Sequence, residues 1–246
     1  MTRKTVNFDL VRSGSLAAPR GLKVNGKPKE ERRESDDYQT PQPLADAICA
    51  RLAEAMTPRT IIEPGAGIGN FVHAAHKAWD DWEFDIAAIE IREECRAALE
   101  AARSSSIIIT DWAKFCREGD PETGVSGPQT ISSADLILGN PAYRFASEHI
   151  LAPWPHMAPG AVLAFLLDLN FLGSAGRWEG PLDSSDGEVK TPGVFRTATL
   201  ASYAPIIPRP DFSGAGGART EYALFTFIKG WTHAATLDEP IYWEKE

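Results

Sequence analysis

Asn140-Pro141-Ala142-Tyr143 follows directly on a short apolar run from Asp135 to Gly139. The side-chain oxygen of Asn140 and the carbonyl oxygen of Pro141 can each accept a hydrogen bond from one amino group. That pairing suits an aromatic amine, whose lone pair is delocalised into its ring and is a poor nucleophile. Two acceptors turn the nitrogen toward tetrahedral geometry, and the positive charge that develops there lies beside two fixed dipoles. Tyr143 can stack on the ring that carries the amine. An ordinary turn at a strand end would use the same Asn-Pro pair.

A second group lies upstream. Glu63-Pro64-Gly65-Ala66-Gly67-Ile68-Gly69 runs from an apolar strand signal toward helix-like residues. Gly65, Gly67 and Gly69 let the backbone take positive φ and pass close to a ligand. Their spacing is Gly-x-Gly-x-Gly, which differs from the dinucleotide fingerprint, and no phosphate-binding Lys follows. Glu63 can sit under the loop and fix it. Glu90 ends the next strand signal, where a carboxylate can accept from both hydroxyls of a ribose. Asp111 follows the third, placed to accept from the amino group of an adenine, and Trp112 or Phe115 can pack on that ring.

The elements that must position these groups alternate along the chain. Strand signals cover 60–63, 84–91, 106–110, 135–139 and 161–167, with helix-like stretches near 70–80, 92–103, 112–118 and 144–157. Two more strand signals follow at 198–207 and 222–228, the second a candidate antiparallel edge. This order predicts an α/β fold with a mostly parallel seven-stranded sheet and helices on both faces. Thr40-Pro41 reads as the start of a helix, with Thr40 as its N-cap. Residues 1–37 read as a flexible polar arm, 38–232 as the main domain and 233–246 as a short tail. Within the domain, 174–220 is loop-rich and a candidate for target recognition.

Of the 246 residues, 43% are hydrophobic, and the formal net charge is -9. The arm alone carries nine Lys or Arg against six Asp or Glu. The scattered Cys49, Cys95 and Cys116 show no metal-ligand spacing and suit a reducing compartment. No apolar run is long enough to span a membrane, and the first residues lack a signal core. The expectation is a cytoplasmic protein without a metal. His73 and His76 share a helix face, but no third ligand accompanies them.

The residues also carry a family resemblance. Glu63 to Phe71 resembles the S-adenosylmethionine loop of amino-directed DNA methyltransferases. Tyr38-Gln39-Thr40-Pro41 resembles the segment that precedes that loop in the gamma-ordered group, and Asn140 to Tyr143 resembles their Asn-Pro-Pro-Tyr motif. Ala142 departs from the pattern, giving up the stiffness of a second Pro. The resemblance covers roughly 38–230. It implies a class I, Rossmann-like methyltransferase fold, S-adenosylmethionine as cofactor and adenine-N6 in DNA as target, with the base flipped from its stack. In that case Tyr38 and Thr40 touch the methionine end of the cofactor. Glu63 fixes the loop or reaches the amino-acid end through water, and Asn140 borders cofactor and target alike. The Arg209-Pro210-Asp211-Phe212 and Thr220-Glu221-Tyr222 elements look similar to small phage and prophage methyltransferases. By that likeness Phe212 stacks on the base opposite Tyr143, and Arg209 meets a phosphate. Typical gamma-ordered enzymes continue into a large recognition domain, so sequence preference here is expected to be short, relaxed or supplied by a separate specificity subunit. RNA bases and protein glutamine are alternative targets with the same planar amine. A non-catalytic cofactor-binding subunit is a third reading.

Overall fold

The computed structural model describes residues 39–179, 192–212 and 220–245. The arm 1–37 and Tyr38 lie outside the described residues. Five parallel strands form the core of the sheet: β1 (Thr60–Pro64), β2 (Asp85–Glu90), β3 (Ser106–Ile109), β4 (Leu136–Gly139) and β5 (Val162–Asp168). β6 (Leu200–Ile207) and β7 (Tyr222–Ile228) complete the long strands, and the short β8 (Thr236–Leu237) and β9 (Ile241–Tyr242) close the edge. The order is β3-β2-β1-β4-β5-β7-β6-β8, with β9 also on β6. The sheet therefore has nine strands rather than the expected seven. The two additions span two residues each and fall in the stretch expected as a tail. Ile241 and Trp243 are buried there, and Trp243 Nε1 donates to Pro208 O at 2.6 Å.

β7 is antiparallel, as its sequence suggested, but it is no edge strand. It inserts between β5 and β6, pairing Asp168 with Tyr222 and Ala204 with Leu224. The residues explain this placement. Ala223, Phe225 and Phe227 are buried in one layer and Leu224 in the other, so both faces of the strand are covered, as suits an interior position in the sheet.

Two hydrophobic layers flank the sheet. α1 (Gln42–Ala53), α2 (Asn70–Ala78) and α3 (Arg96–Ala101) cover one face, with Leu44, Ile48, Phe71, Val72 and Leu99 turned inward. α4 (Trp112–Glu118), α5 (Gly127–Ser133) and α6 (Ala146–Leu151) cover the other, through Phe115, Ile131 and Ile150. α5 gave no periodic signal because Ile131 is its one large apolar residue; Ser126 caps it by accepting from Gln129 N. Two short helices, α7 (Ala175–Glu179) and α8 (Val194–Thr197), flank the undescribed part of the long loop. No helix among the described residues is long and apolar enough to cross a membrane.

Candidate functional site

Strand alternation brings the chemistry to one corner of the sheet. Ile61, Ile86, Ala88, Leu136 and Leu138 all face the α1–α2 layer. Two residues further along their strands, with a side-chain period of two, come Glu63, Glu90 and Asn140. β1 lies between β2 and β4, so all three groups leave the carboxyl ends of adjacent parallel strands, where ligands of open α/β sheets bind.

The glycine loop is shaped by its backbone. Gly65, Gly67 and Gly69 have φ of 66°, 57° and 85°. Gly65 N and Ala66 N both donate to Ile89 O, at 2.8 and 3.2 Å, which ties the loop to the end of β2. Gly69 precedes α2 and is walled in: a Cβ there would lie 2.9 Å from Ala102 Cβ. A Cβ on Gly65 would meet nothing within 4 Å, so open space borders the backbone at that point.

Glu63 is 3% exposed, and its Oε2 has no hydrogen-bond partner. Burial pushes its pKa well above the ordinary carboxyl range. The nearby Glu90 charge adds to the rise, and a backbone hydrogen bond from Val72 partly offsets it. That bond comes from the first turn of α2, where helix N–H groups lack intrahelical acceptors. A cationic ligand would reverse this balance by stabilising the ionised form.

Glu90 is as deeply buried, but it is well partnered. Its carboxylate accepts from Gly67 N at 2.7 Å, Ile91 N at 3.0 Å, Arg92 N at 3.1 Å and Arg92 Nε at 3.0 Å. A carboxylate offers about four acceptor positions. The two ribose hydroxyls expected from the sequence therefore compete with Arg92 for this group. Ile91, 65% exposed beside it, is an apolar surface that sequence reading overlooked. The available signal was its place one residue past the strand end, on the face opposite Glu90.

Asp111 caps α4, its Oδ1 accepting from Lys114 N at 2.8 Å. Trp112 is 3% exposed, donates from Nε1 to His149 O and stacks on the buried Phe115. Both rings belong mainly to the core and leave little face for an adenine.

Asn140 completes the corner. Its Nδ2 donates to Thr40 Oγ1 at 3.1 Å, while its Oδ1 is buried without a hydrogen-bond partner. Thr40 does not cap α1 as its sequence position suggested. Pro41 takes the N-cap place with no side-chain cap, and the Thr40 hydroxyl turns to Asn140 instead. Thr40 O accepts from Asn70 Nδ2 at 2.6 Å, and Gln39 Oε1 accepts from Ile68 N at 3.4 Å. The segment before α1 thus touches both the glycine loop and Asn140. Pro141 is buried, and Tyr143 is half-buried beside Tyr222, ring centroids 5.6 Å apart. Phe212 meets the same Tyr222 edge-on at 5.0 Å. Tyr222, singled out in the sequence only as part of the Thr220-Glu221-Tyr222 element and with no role of its own, is therefore the aromatic link between Tyr143 and Phe212. Arg209 is exposed and pairs with Glu221 at 3.1 Å, so a phosphate contact requires exchange of that ion pair.

These groups fit an adenosine-bearing, cationic cofactor: an unpartnered buried carboxyl oxygen, a glycine loop open at Gly65, and carboxylates at the ends of β2 and β3. Among the described residues there is no His, Cys, Asp and Glu grouping that could hold a metal ion.

No protein-family model matches the chain. Over 88 residues, 35% of its length, it is 40% identical to the type II methyltransferase M.NspV of Nostoc sp., and the match spans 18% of that protein. Among solved structures, the methyltransferase subunit of a type I restriction-modification system from Streptococcus thermophilus is similar, with TM-score 0.55 and 13% identity over 82% of this chain and 47% of that one. A predicted O-methyltransferase from Agrobacterium tumefaciens is also similar, with TM-score 0.52 and 18% identity over 80% of this chain and 86% of that one. With its strand order and these likenesses, the chain has the class I, Rossmann-like methyltransferase fold.

Proposed function

We propose that this protein is an S-adenosylmethionine-dependent methyltransferase acting on the exocyclic amino nitrogen of adenine in DNA. The observation that carries the reading is Asn140 Oδ1, a buried acceptor without a partner beside the glycine loop. A buried acceptor left unmatched is costly, and it suits a donor that arrives with the substrate.

Glu63, the loop 65–69, Glu90 and Asp111 would hold S-adenosylmethionine, which would supply an electrophilic methyl group. Asn140 Oδ1 and the Pro141 carbonyl oxygen accept from the two N–H bonds of the target amine. The lone pair so released would be free to take the methyl group, the electron pair of the broken S–CH3 bond staying on sulfur. The nitrogen then gives up one proton to solvent. Tyr143 holds the ring in place, and a duplex base must leave its stack to reach it. Transfer to a planar amine is supported by the Asn-Pro-x-Tyr pattern, and DNA as the molecule that carries it by the likeness to a type II methyltransferase.

The test is transfer of labelled methyl to unmethylated DNA, with RNA in parallel, read by nucleoside mass spectrometry. N6-methyladenine in DNA is the expected product. Label in RNA alone moves the target to an RNA base. No label in either, with cofactor bound, refutes the nucleic-acid reading and favours a glutamine target or a non-catalytic subunit.

A further inference from the structure

The segment before α1 does more than border the cofactor loop. An Asn amide can present either its oxygen or its NH2 group to a pocket, and amino methylation needs the oxygen. In this structure the NH2 group turns to one neighbour, a hydroxyl that can pair with either end of the amide and here accepts. Thr40 is 5% exposed, and its Oγ1 accepts from Asn140 Nδ2 across 100 positions of sequence. With the NH2 group held there, Oδ1 is left as the unpartnered atom. Thr40 is itself fixed through its carbonyl oxygen, which accepts from Asn70 Nδ2. Asn70 opens α2 directly after Gly69, and Gln42 Nε2 donates to Asn70 O at 3.0 Å.

We infer that Thr40 is a positioning residue: its hydroxyl holds the Asn140 amide with the oxygen toward the target amine, and its backbone couples that orientation to the glycine loop. The inference rests on the methyl-transfer reading for its kinetic consequence, but the orientation itself can be observed without any turnover. A flipped amide would place two donors against the donors of the amine, so losing the hydroxyl should slow chemistry more than cofactor binding.

The test uses the full chain with Thr40→Val, which removes the hydroxyl at nearly constant volume, and Thr40→Ser, which keeps it. The side-chain NH2 signals of Asn140 are identified in a 15N spectrum by their loss in Asn140→Ala. Slow solvent exchange of this pair is expected in the natural protein and in Thr40→Ser, with faster exchange and a changed shift in Thr40→Val. In methyl transfer at saturating cofactor, Thr40→Val should lower kcat about tenfold with little change in cofactor Kd, and Thr40→Ser should restore most of it. Unchanged Asn140 signals in Thr40→Val overturn the inference, as does a raised Kd at normal kcat, which would make Thr40 a cofactor contact. If Thr40→Val does not fold, fast NH2 exchange in the natural protein overturns the inference by itself. Absence of turnover in the natural protein refutes the methyl-transfer reading, while the spectrum still decides the role of Thr40.

Discussion

Glu63→Gln should stabilise the free protein and weaken its cofactor binding. The substitution keeps the volume and removes the ability to ionise. Burial, with the Glu90 charge behind it, holds the folded carboxyl well above its ordinary value of 4.5. Below that value both the folded and the unfolded chain carry the proton, and Gln brings no advantage. As pH rises above it, the unfolded chain ionises while the folded one stays protonated, so the natural protein loses stability at about 1.4 kcal/mol per pH unit. The loss continues until the folded group ionises. For a chain of this size that is roughly 3–6 °C of Tm per pH unit, seen as a widening gap between the variants. Cofactor binding moves the other way. A hydrogen bond to a charged group contributes about 1.5–3 kcal/mol, so its loss weakens binding roughly 10–150-fold. Thermal melts between about pH 5 and pH 8 and titration calorimetry with S-adenosylmethionine read the two effects. A Tm gap that does not change with pH would show that Glu63 ionises normally in the fold and refute the burial argument. An unchanged Kd would remove Glu63 from the cofactor site.

Gly69→Ala forces a side chain into left-handed backbone and against Ala102, at about 1–2 kcal/mol for the conformation and about 1–3 kcal/mol for the overpacking. The urea midpoint should fall with the slope unchanged, and an unaltered midpoint contradicts the close packing. Trp243→Ala removes a buried ring and its bond to Pro208 O, and should cost about 3–5 kcal/mol by the same measurement. A loss below about 1 kcal/mol would mean that β8 and β9 cover the sheet edge without supporting it. Asp111→Ala should cost about 0.5–2 kcal/mol through the lost cap of α4 and also weaken cofactor binding. A stability loss without a binding change leaves Asp111 a cap alone.

Much of this arrangement was legible from residues that act locally. The alternation of apolar runs fixed the positions of β1 to β5, and their parallel order follows from the helices between them. Glu63, Glu90 and Asn140 were legible because a strand end is a place defined by its own sequence. What escaped depends on partners far along the chain. Thr40 looks like a helix cap from its neighbours, and only the fold shows that its hydroxyl turns to a residue 100 positions away. Tyr222 reads as the first residue of a strand, and it reaches Tyr143 because β7 is antiparallel and begins beside the carboxyl end of β5. Trp112 has the right type and place to meet an adenine, but α4 turns it into the core. The strands β8 and β9 are too short to give a periodic signal, and they exist because β6 offers an open edge.

The most direct test of the account compares the natural protein with Asn140→Ala in transfer of labelled methyl to DNA, each saturated with S-adenosylmethionine by prior calorimetry. The expected result is that both proteins bind the cofactor, that the natural protein forms N6-methyladenine, and that the variant loses nearly all transfer. Transfer that persists in Asn140→Ala would contradict it, because the unpartnered oxygen at the end of β4 would then play no part in the chemistry.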